Sequence, residues 1–228
     1  MKEAPPNYKI AFSKPKAFKV AKALAELGGV ANFSQIQELS GIKGSTLVHN
    51  LNILIRFNVV EKEVKGTYRL KYRTPLCFLF GKKPIPAAYL GLLGRKNGRK
   101  KPETETALEL LKVEGYQPSS IHVLTSIEAL EEWKDLKLSY EWILCYEEEI
   151  VDIDSVKSKA TPILKALLKD YVVIIDCTSA TTPATIAFYE LAQIYQTPLL
   201  YVYEEKKKLR WIKNKQTIKE VILPETVK

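Results

Sequence analysis

The 228 residues suffice for one large domain or two small ones, and a hydrophobic fraction of 46% with 27% charged residues is that of a globular chain. No run of about 18 uncharged apolar residues occurs, which excludes a membrane-spanning helix and, with no apolar core in the N-terminal MKEAPPNYK, points to a cytoplasmic protein. The net charge of +9 is unevenly spread: residues 1–83 carry 15 basic against 5 acidic residues, a net +10, whereas residues 84–228 carry 20 against 21, a net −1. A basic block of this kind attracts polyanions, because neutralised phosphates release condensed counterions.

In chain order, PKAFKVAKALAELGG places Phe18, Ala21, Leu24, Ala25 and Leu27 on one helical face that ends at Gly28 and Gly29. NFSQIQELSG reads as a short helix with Ser34 as a candidate N-cap and Gly41 at its end. IKGSTLVHNLNILIRFNVV follows as a second helix, with Leu47, Leu51, Leu54 and Ile55 on one face and Ser45, Thr46, His49, Asn50 and Arg56 elsewhere. VVEKEVKGTYRLKY gives two strand-like runs around Lys65-Gly66, a hairpin signal. RTPLCFLFGKKPIP breaks the pattern, with Leu76 to Phe80 as a strand or connecting piece. Pro84 and Pro86 fit neither a helix interior nor a central strand, so a boundary is expected near residue 83.

From residue 84 the chain alternates. AAYLGLLG, SIHVLTS, EWILCYEEE, YVVIIDCTS, PLLYVYEE and KLRWIKN read as strands, the last two as an antiparallel pair at an edge. ETETALELLKVEGY, IEALEEW, TPILKALLKD and TPATIAFYELAQIYQ read as helices. This alternation predicts an α/β domain over 84–228 with a mostly parallel, Rossmann-like sheet covered on both faces.

In such sheets ligands bind beyond the carboxyl ends of the strands. Two loops fit that position. Gly94 to Lys101 holds five basic residues in eight, around Gly94, Arg95, Lys96, Asn97, Gly98 and Arg99, and reads either as an anion site or as a solvated loop. DCTSATTPA offers Thr178, Ser179, Thr181 and Thr182 at the end of the most apolar strand, with Thr182-Pro183 as N-cap and first helical residue. That turn reads either as a phosphate-binding helix start or as a capped helix alone, since Thr161-Pro162 begins another helix without a hydroxyl cluster. Cys77, Cys145 and Cys177 lie in apolar or strand-like runs with no metal-ligand spacing, so buried thiols are expected, with no metal and no cofactor. No catalytic serine–histidine–carboxylate set is evident, and Glu147 to Glu149 read as a solvated acidic run.

Two resemblances add to this reading. GSTLVHNLNILIRFNVVEKEVKGTYRLK resembles the recognition helix and wing of a winged helix–turn–helix domain over residues 15–73. That resemblance implies contacts to double-stranded DNA from Lys43, Ser45, Thr46, His49 and Asn50 on the helix and from Lys65, Tyr68 and Arg69 on the wing. Protein docking or dimerisation is the alternative for such modules.

Asp-x-Thr-Ser-x-Thr after the strand, with YLGLLGRKNG and a second strand ending in Thr125-Ser126, resembles the CRISPR-associated Rossmann fold (CARF) domain over residues 86–212. The resemblance implies a homodimer that senses a cyclic oligoadenylate or another nucleotide across its twofold interface, through the first loop, Thr125, Ser126 and the Thr178–Thr182 turn. The pattern departs from the family at Ser179 and Ala180, where glycines are frequent, and at Thr182, where lysine is frequent; the winged helix also leads instead of following. Together the resemblances imply a ligand-responsive transcriptional regulator in antiviral defence. The alternatives are a metal-independent ring nuclease, which the missing lysine disfavours, and a dimerisation scaffold with no small ligand.

Overall fold

The computed structural model describes residues 4–137 and 139–225, without the side chain of Lys65. The chain divides into two compact units, Met1–Ile85 with Leu168–Val172 and Lys215–Lys228, and Pro86–Leu167 with Val173–Asn214.

The first unit opens with α1 (Tyr8–Phe12), α2 (Pro15–Glu26), β1 (Val30–Asn32), α3 (Phe33–Ser40) and α4 (Gly44–Arg56), then β2 (Val60–Lys62), β3 (Thr67–Leu70) and α5 (Leu76–Phe80). The three strands form an antiparallel sheet in the order β1-β3-β2, with Val30 opposite Arg69 and Val60 opposite Leu70. Of the helical stripes read from sequence, Ala21, Leu24, Ala25, Leu47, Leu51 and Leu54 are buried, and Phe18, Leu27 and Ile55 are half-buried at their edges. Two local details differ from that reading. Asn32, not Ser34, caps α3: its side chain accepts the Gln35 N–H while the Gln35 side chain accepts the Asn32 N–H. This reciprocal box satisfies two helix-start donors at once, which a lone serine one turn inside cannot. Leu76–Phe80 is a short helix, in which the consecutive residues Leu76, Cys77 and Phe78 are all buried.

The second unit follows as β4 (Ala87–Leu93), α6 (Glu103–Val113), β5 (Pro118–Ser126), α7 (Ile127–Glu132), β6 (Glu141–Cys145), α8 (Glu147–Ile150), α9 (Ile153–Asp170), β7 (Val172–Asp176), α10 (Thr182–Tyr195), β8 (Leu199–Tyr203) and β9 (Lys208–Lys213). A last helix, α11 (Lys215–Ile222), groups with the first unit, where Ile218 and Ile222 are buried.

The strands form one sheet in the order β6-β5-β4-β7-β8-β9. Pairings β4–β5, β5–β6 and β7–β8 are parallel, and β8–β9 is the antiparallel edge pair anticipated from sequence. Numbered within the sheet, the order is 3-2-1-4-5-6, that of a Rossmann fold, and it reverses between β4 and β7. All five residues of β7 are buried, which accounts for its unbroken apolar run: both of its faces are covered. One face packs Tyr89, Leu93, Ala107, Leu111, Val123, Trp133, Ile174, Leu200 and Val202 into a single cluster.

Thr161-Pro162 does not start a helix. Pro162 lies inside α9, which begins nine residues earlier, and the Thr161 hydroxyl donates to the Lys157 carbonyl at 2.6 Å. Pro162 removes only its own N–H from the ladder, and the apolar stripe through Val156, Ala160, Leu164 and Leu168 holds the helix across it. Among the described residues, no helix is long and apolar enough to cross a membrane, and no cluster of three potential metal ligands occurs. The three cysteines are reduced and buried; burial pushes the Cys77 and Cys177 thiols up to about 12.

Candidate functional site

Where the strand order reverses, the carboxyl ends of β4 and β7 lie side by side, and their loops meet at Gly94. The Gly94 N–H donates to Ser179 Oγ at 2.9 Å, and its carbonyl accepts the indole N–H of Trp133 at 2.9 Å. A Cβ at Gly94 would stand 3.0 Å from the Ala180 nitrogen, so any larger residue would push the two loops apart by a few tenths of an ångström. The preceding carbonyls are tied as well: Thr104 Oγ1 donates to Leu92 O at 3.1 Å and Thr125 Oγ1 to Leu93 O at 2.9 Å. The end of β4 is therefore fixed by four side chains, Thr104, Thr125, Trp133 and Ser179, each from a different segment around it.

The end of β7 is held by Asp176, which is 1% exposed. Its carboxylate accepts the Tyr89 hydroxyl at 2.5 Å, the Thr178 N–H at 2.8 Å and the Thr178 hydroxyl. Thr178 Oγ1 in turn accepts the Val202 N–H at 2.8 Å, linking the turn to β8. Burial pushes the Asp176 carboxyl up to about 6, against the hydrogen bonds from Thr178 and Tyr89 that favour its charged form. The same burial and the Asp176 carboxylate raise the Tyr89 phenol well above its usual range.

Thr181, not Thr182, caps α10. Its hydroxyl accepts the Ala184 N–H at 3.3 Å and donates to Ile150 O at 2.6 Å, while Thr182 and Pro183 are the first two helical residues. Ala180 is forced to φ +74°, a region that costs an L side chain energy and glycine little. Ala180→Gly is expected to raise stability by about 0.5–1 kcal/mol in urea unfolding, relief of strain outweighing the added freedom of the unfolded chain.

Between the two loops lies a crevice of about 370 Å³, lined by Gly94, Arg95, Asn97, Arg99, Ser126, Thr178, Ser179 and Thr181 among the residues anticipated from sequence, and by Glu103, Glu147, Ile150 and Val151 besides. Four anticipated residues do not line it. Thr125 is fully buried on the Leu93 carbonyl; Lys96 sets its ammonium 5.6 Å from the Trp133 ring centre; Gly98 and Thr182 lie outside the lining. Thr178 also spends its hydroxyl on Asp176 and Val202, so it shapes the turn more than it offers a contact.

The basic loop is met by carboxylates. Arg95 pairs with Glu132 at 3.4 Å and with Glu147; Arg99 pairs with Glu103 at 2.9 Å and Glu204 at 3.3 Å. Glu132 also accepts the Lys96 N–H at 2.7 Å. Burial and the neighbouring Glu103 carboxylate raise the Glu204 carboxyl, with Arg99 opposing them. Glu147, read from sequence as part of a solvated run, is thus a wall of the crevice.

In the first unit, Lys43, Ser45 and His49 are exposed near the start of α4, and Thr46 is half-buried. Asn50 is buried, its amide donating to Thr46 O at 2.7 Å, and Tyr68 is buried on β3; neither reaches the surface on which the resemblance sets it. The core side of each element claims them, Asn50 by bonding back to its own helix. Arg69 pairs with Glu63 at 3.2 Å and Asp170 at 3.3 Å. The Lys65 side chain lies outside the described residues.

No protein-family model matches the chain, and no curated protein matches it. Solved structures overlap it in part. Can2 from Sulfobacillus thermosulfidooxidans, in complex with cyclic tetra-adenylate, is 12% identical with a TM-score of 0.41, over 56% of this chain and 35% of that one. Protein VC1899 from Vibrio cholerae is 14% identical with a TM-score of 0.44, over 57% and 34%. Csm6 from Enterococcus italicus, bound to cyclic hexa-2′-fluoro-hexa-dAMP, is 11% identical with a TM-score of 0.43, over 60% and 45%. The chain spans less than half the length of each of these proteins.

Proposed function

We propose that the second unit is a CARF-type sensor that binds a cyclic oligoadenylate in the crevice between β4 and β7, and that the first is a winged helix bound to double-stranded DNA. The chain then works as a homodimeric, ligand-responsive transcriptional regulator. The observation that supports it most is the junction at the strand-order reversal. There Gly94 and Ser179 bring a loop with Arg95 and Arg99 against a hydroxyl-lined turn. Arginine suits phosphodiester oxygens through its planar, five-donor fork, and the hydroxyls and Asn97 supply contacts to sugar or base.

A crevice of about 370 Å³ is at the small end of ligand sites, so a ring of several nucleotides enters it only in part. A second copy would cover the remainder, and Tyr146 and Val151, exposed around α8, give the rim an apolar surface for it. For DNA, the support is the +10 charge of residues 1–83 with Lys43, Ser45 and His49 exposed along the first half of α4. A ligand with different affinities for two dimer arrangements would shift the spacing of the two DNA-binding units and hence operator affinity.

The test is thermal melting with cyclic oligoadenylates of several ring sizes, followed by analysis of the nucleotide. One ring at a hundredfold excess over its Kd is expected to stabilise the fold by about 2.7 kcal/mol and to be recovered intact. The same ring should change duplex-DNA affinity, which itself should fall steeply with salt. Linear products would make the chain a nuclease, and no shift with any ring would overturn the reading.

A further inference from the structure

The crevice is not a simple basic pocket. Its lining carries two cations, Arg95 and Arg99, and two carboxylates, Glu103 and Glu147, with Glu132 and Glu204 behind them, so that both guanidinium groups are already paired with two carboxylates each. Any anion that enters must compete with these carboxylates for the arginines and must tolerate the charges left beside it. A terminal phosphate group carries about −1.5 to −2, and a di- or triphosphate concentrates still more within a few ångströms. An internal phosphodiester brings a single charge per nucleotide. It also brings ribose hydroxyls, which a carboxylate, being an acceptor only when ionised, can engage as donors.

Resting on the sensor reading of this crevice, we propose that Glu147 and Glu103 are its specificity-determining residues. They admit ribonucleotides joined through internal diesters and reject nucleotides that end in a di- or triphosphate. The two line opposite ends of the basic loop's reach: Glu147 on α8 holds Arg95, and Glu103 at the start of α6 holds Arg99. Glu147 is the cleaner probe, since its side chain is 57% exposed and carries no core packing.

The experiment titrates cyclic tetra-adenylate and ATP into the full-length wild type, Glu147→Gln, and Glu147→Gln combined with Arg95→Ala. Wild type should hold cyclic tetra-adenylate undisturbed by ATP. Glu147→Gln should gain about tenfold in ATP affinity through removal of like-charge repulsion, and Arg95→Ala should cancel that gain. ATP affinity that is equal in wild type and Glu147→Gln overturns the proposal, even if the cyclic ligand binds and the sensor reading stands. A gain that Arg95→Ala leaves intact overturns it too, because ATP would then sit elsewhere. A wild type that ignores cyclic oligoadenylates of every ring size while Glu147→Gln gains ATP in the Arg95-dependent way would support the rejection of polyphosphates and count against the sensor reading.

Discussion

Asp176→Ala is expected to destabilise the protein by roughly 2–5 kcal/mol, because it strips the acceptor from three buried donors at once. The Tyr89 hydroxyl and the Thr178 N–H and hydroxyl all converge on that carboxylate, and Thr178 passes the constraint to Val202. Urea unfolding of wild type and variant measures the cost. Asp176→Asn separates charge from shape and has a distinct pH signature. A carboxyl raised from 3.8 to about 6 means that the native state holds a proton the unfolded state releases across that interval. The stability it contributes is therefore complete below about pH 4 and is lost as pH rises through about 6. Glu109, Glu149 and Asp152, whose carboxyls are lowered by their hydrogen-bond partners, act in the opposite sense and lose their contributions only as the pH falls below the usual carboxylate range. His122, whose imidazole pKa is lowered by burial, acts against Asp176 in this same range but does so in wild type and Asp176→Asn alike, so the melting temperature of wild type relative to Asp176→Asn should fall from pH 5 to pH 7. A wild-type melting temperature that rises relative to that of Asp176→Asn from pH 5 to pH 7 would contradict this account of Asp176.

Gly91→Ala is the second large effect, expected at about 2–4 kcal/mol. Tyr89 and Gly91 lie two residues apart on β4 and so on the same face, and the Tyr89 ring folds over Gly91 on its way to Asp176. A Cβ at Gly91 would fall 2.4 Å from Tyr89 Cε1 and 2.6 Å from its hydroxyl oxygen, well inside contact distance. The ring must swing away, and the hydrogen bond to Asp176 goes with it. The test is a double-mutant cycle with Tyr89→Phe. Because Gly91→Ala already displaces the hydroxyl, the two costs should be markedly less than additive. Full additivity would show that the alanine is accommodated without moving the phenol.

Much of the architecture was legible because local pattern and burial coincide. The run Val172 to Ile175 is apolar at every position, and β7 is buried on both faces; Leu47, Leu51 and Leu54 share a helical face, and that face is the core side of α4. The alternation of strands and helices after residue 84 gave the mostly parallel sheet. What stayed hidden depends on tertiary partners. The three residues of β1 are too few for a periodicity and become a strand only by pairing with β3. Asn50 is polar on a surface-like pattern, yet its amide finds its own helix carbonyl, and nothing in the sequence distinguishes that from an exposed amide.

The site divides in the same way. The hydroxyl turn and the basic loop were visible as composition, and the fold sets them at adjacent strand ends. The carboxylates that neutralise the loop were not visible, because Glu132, Glu147 and Glu204 come from α7, α8 and the segment after β8, 37, 52 and 105 residues from the arginines they meet. Tyr89 and Trp133 belong to the same class: each reads as an ordinary core aromatic, and each turns its polar atom onto the junction. The missing glycine at Ala180, read as a departure from the family pattern, appears in the structure as a residue held at positive φ.

The most direct measurement is an equilibrium titration of cyclic oligoadenylates of several ring sizes into wild type and into the Arg95→Ala/Arg99→Ala variant, with the ligand-free melting temperature of each as a control for folding. The account predicts saturation at one ring per two chains in wild type, and loss of binding in the variant at an unchanged ligand-free melting temperature. Undiminished binding by the variant, or none by wild type across the ring sizes, would contradict it.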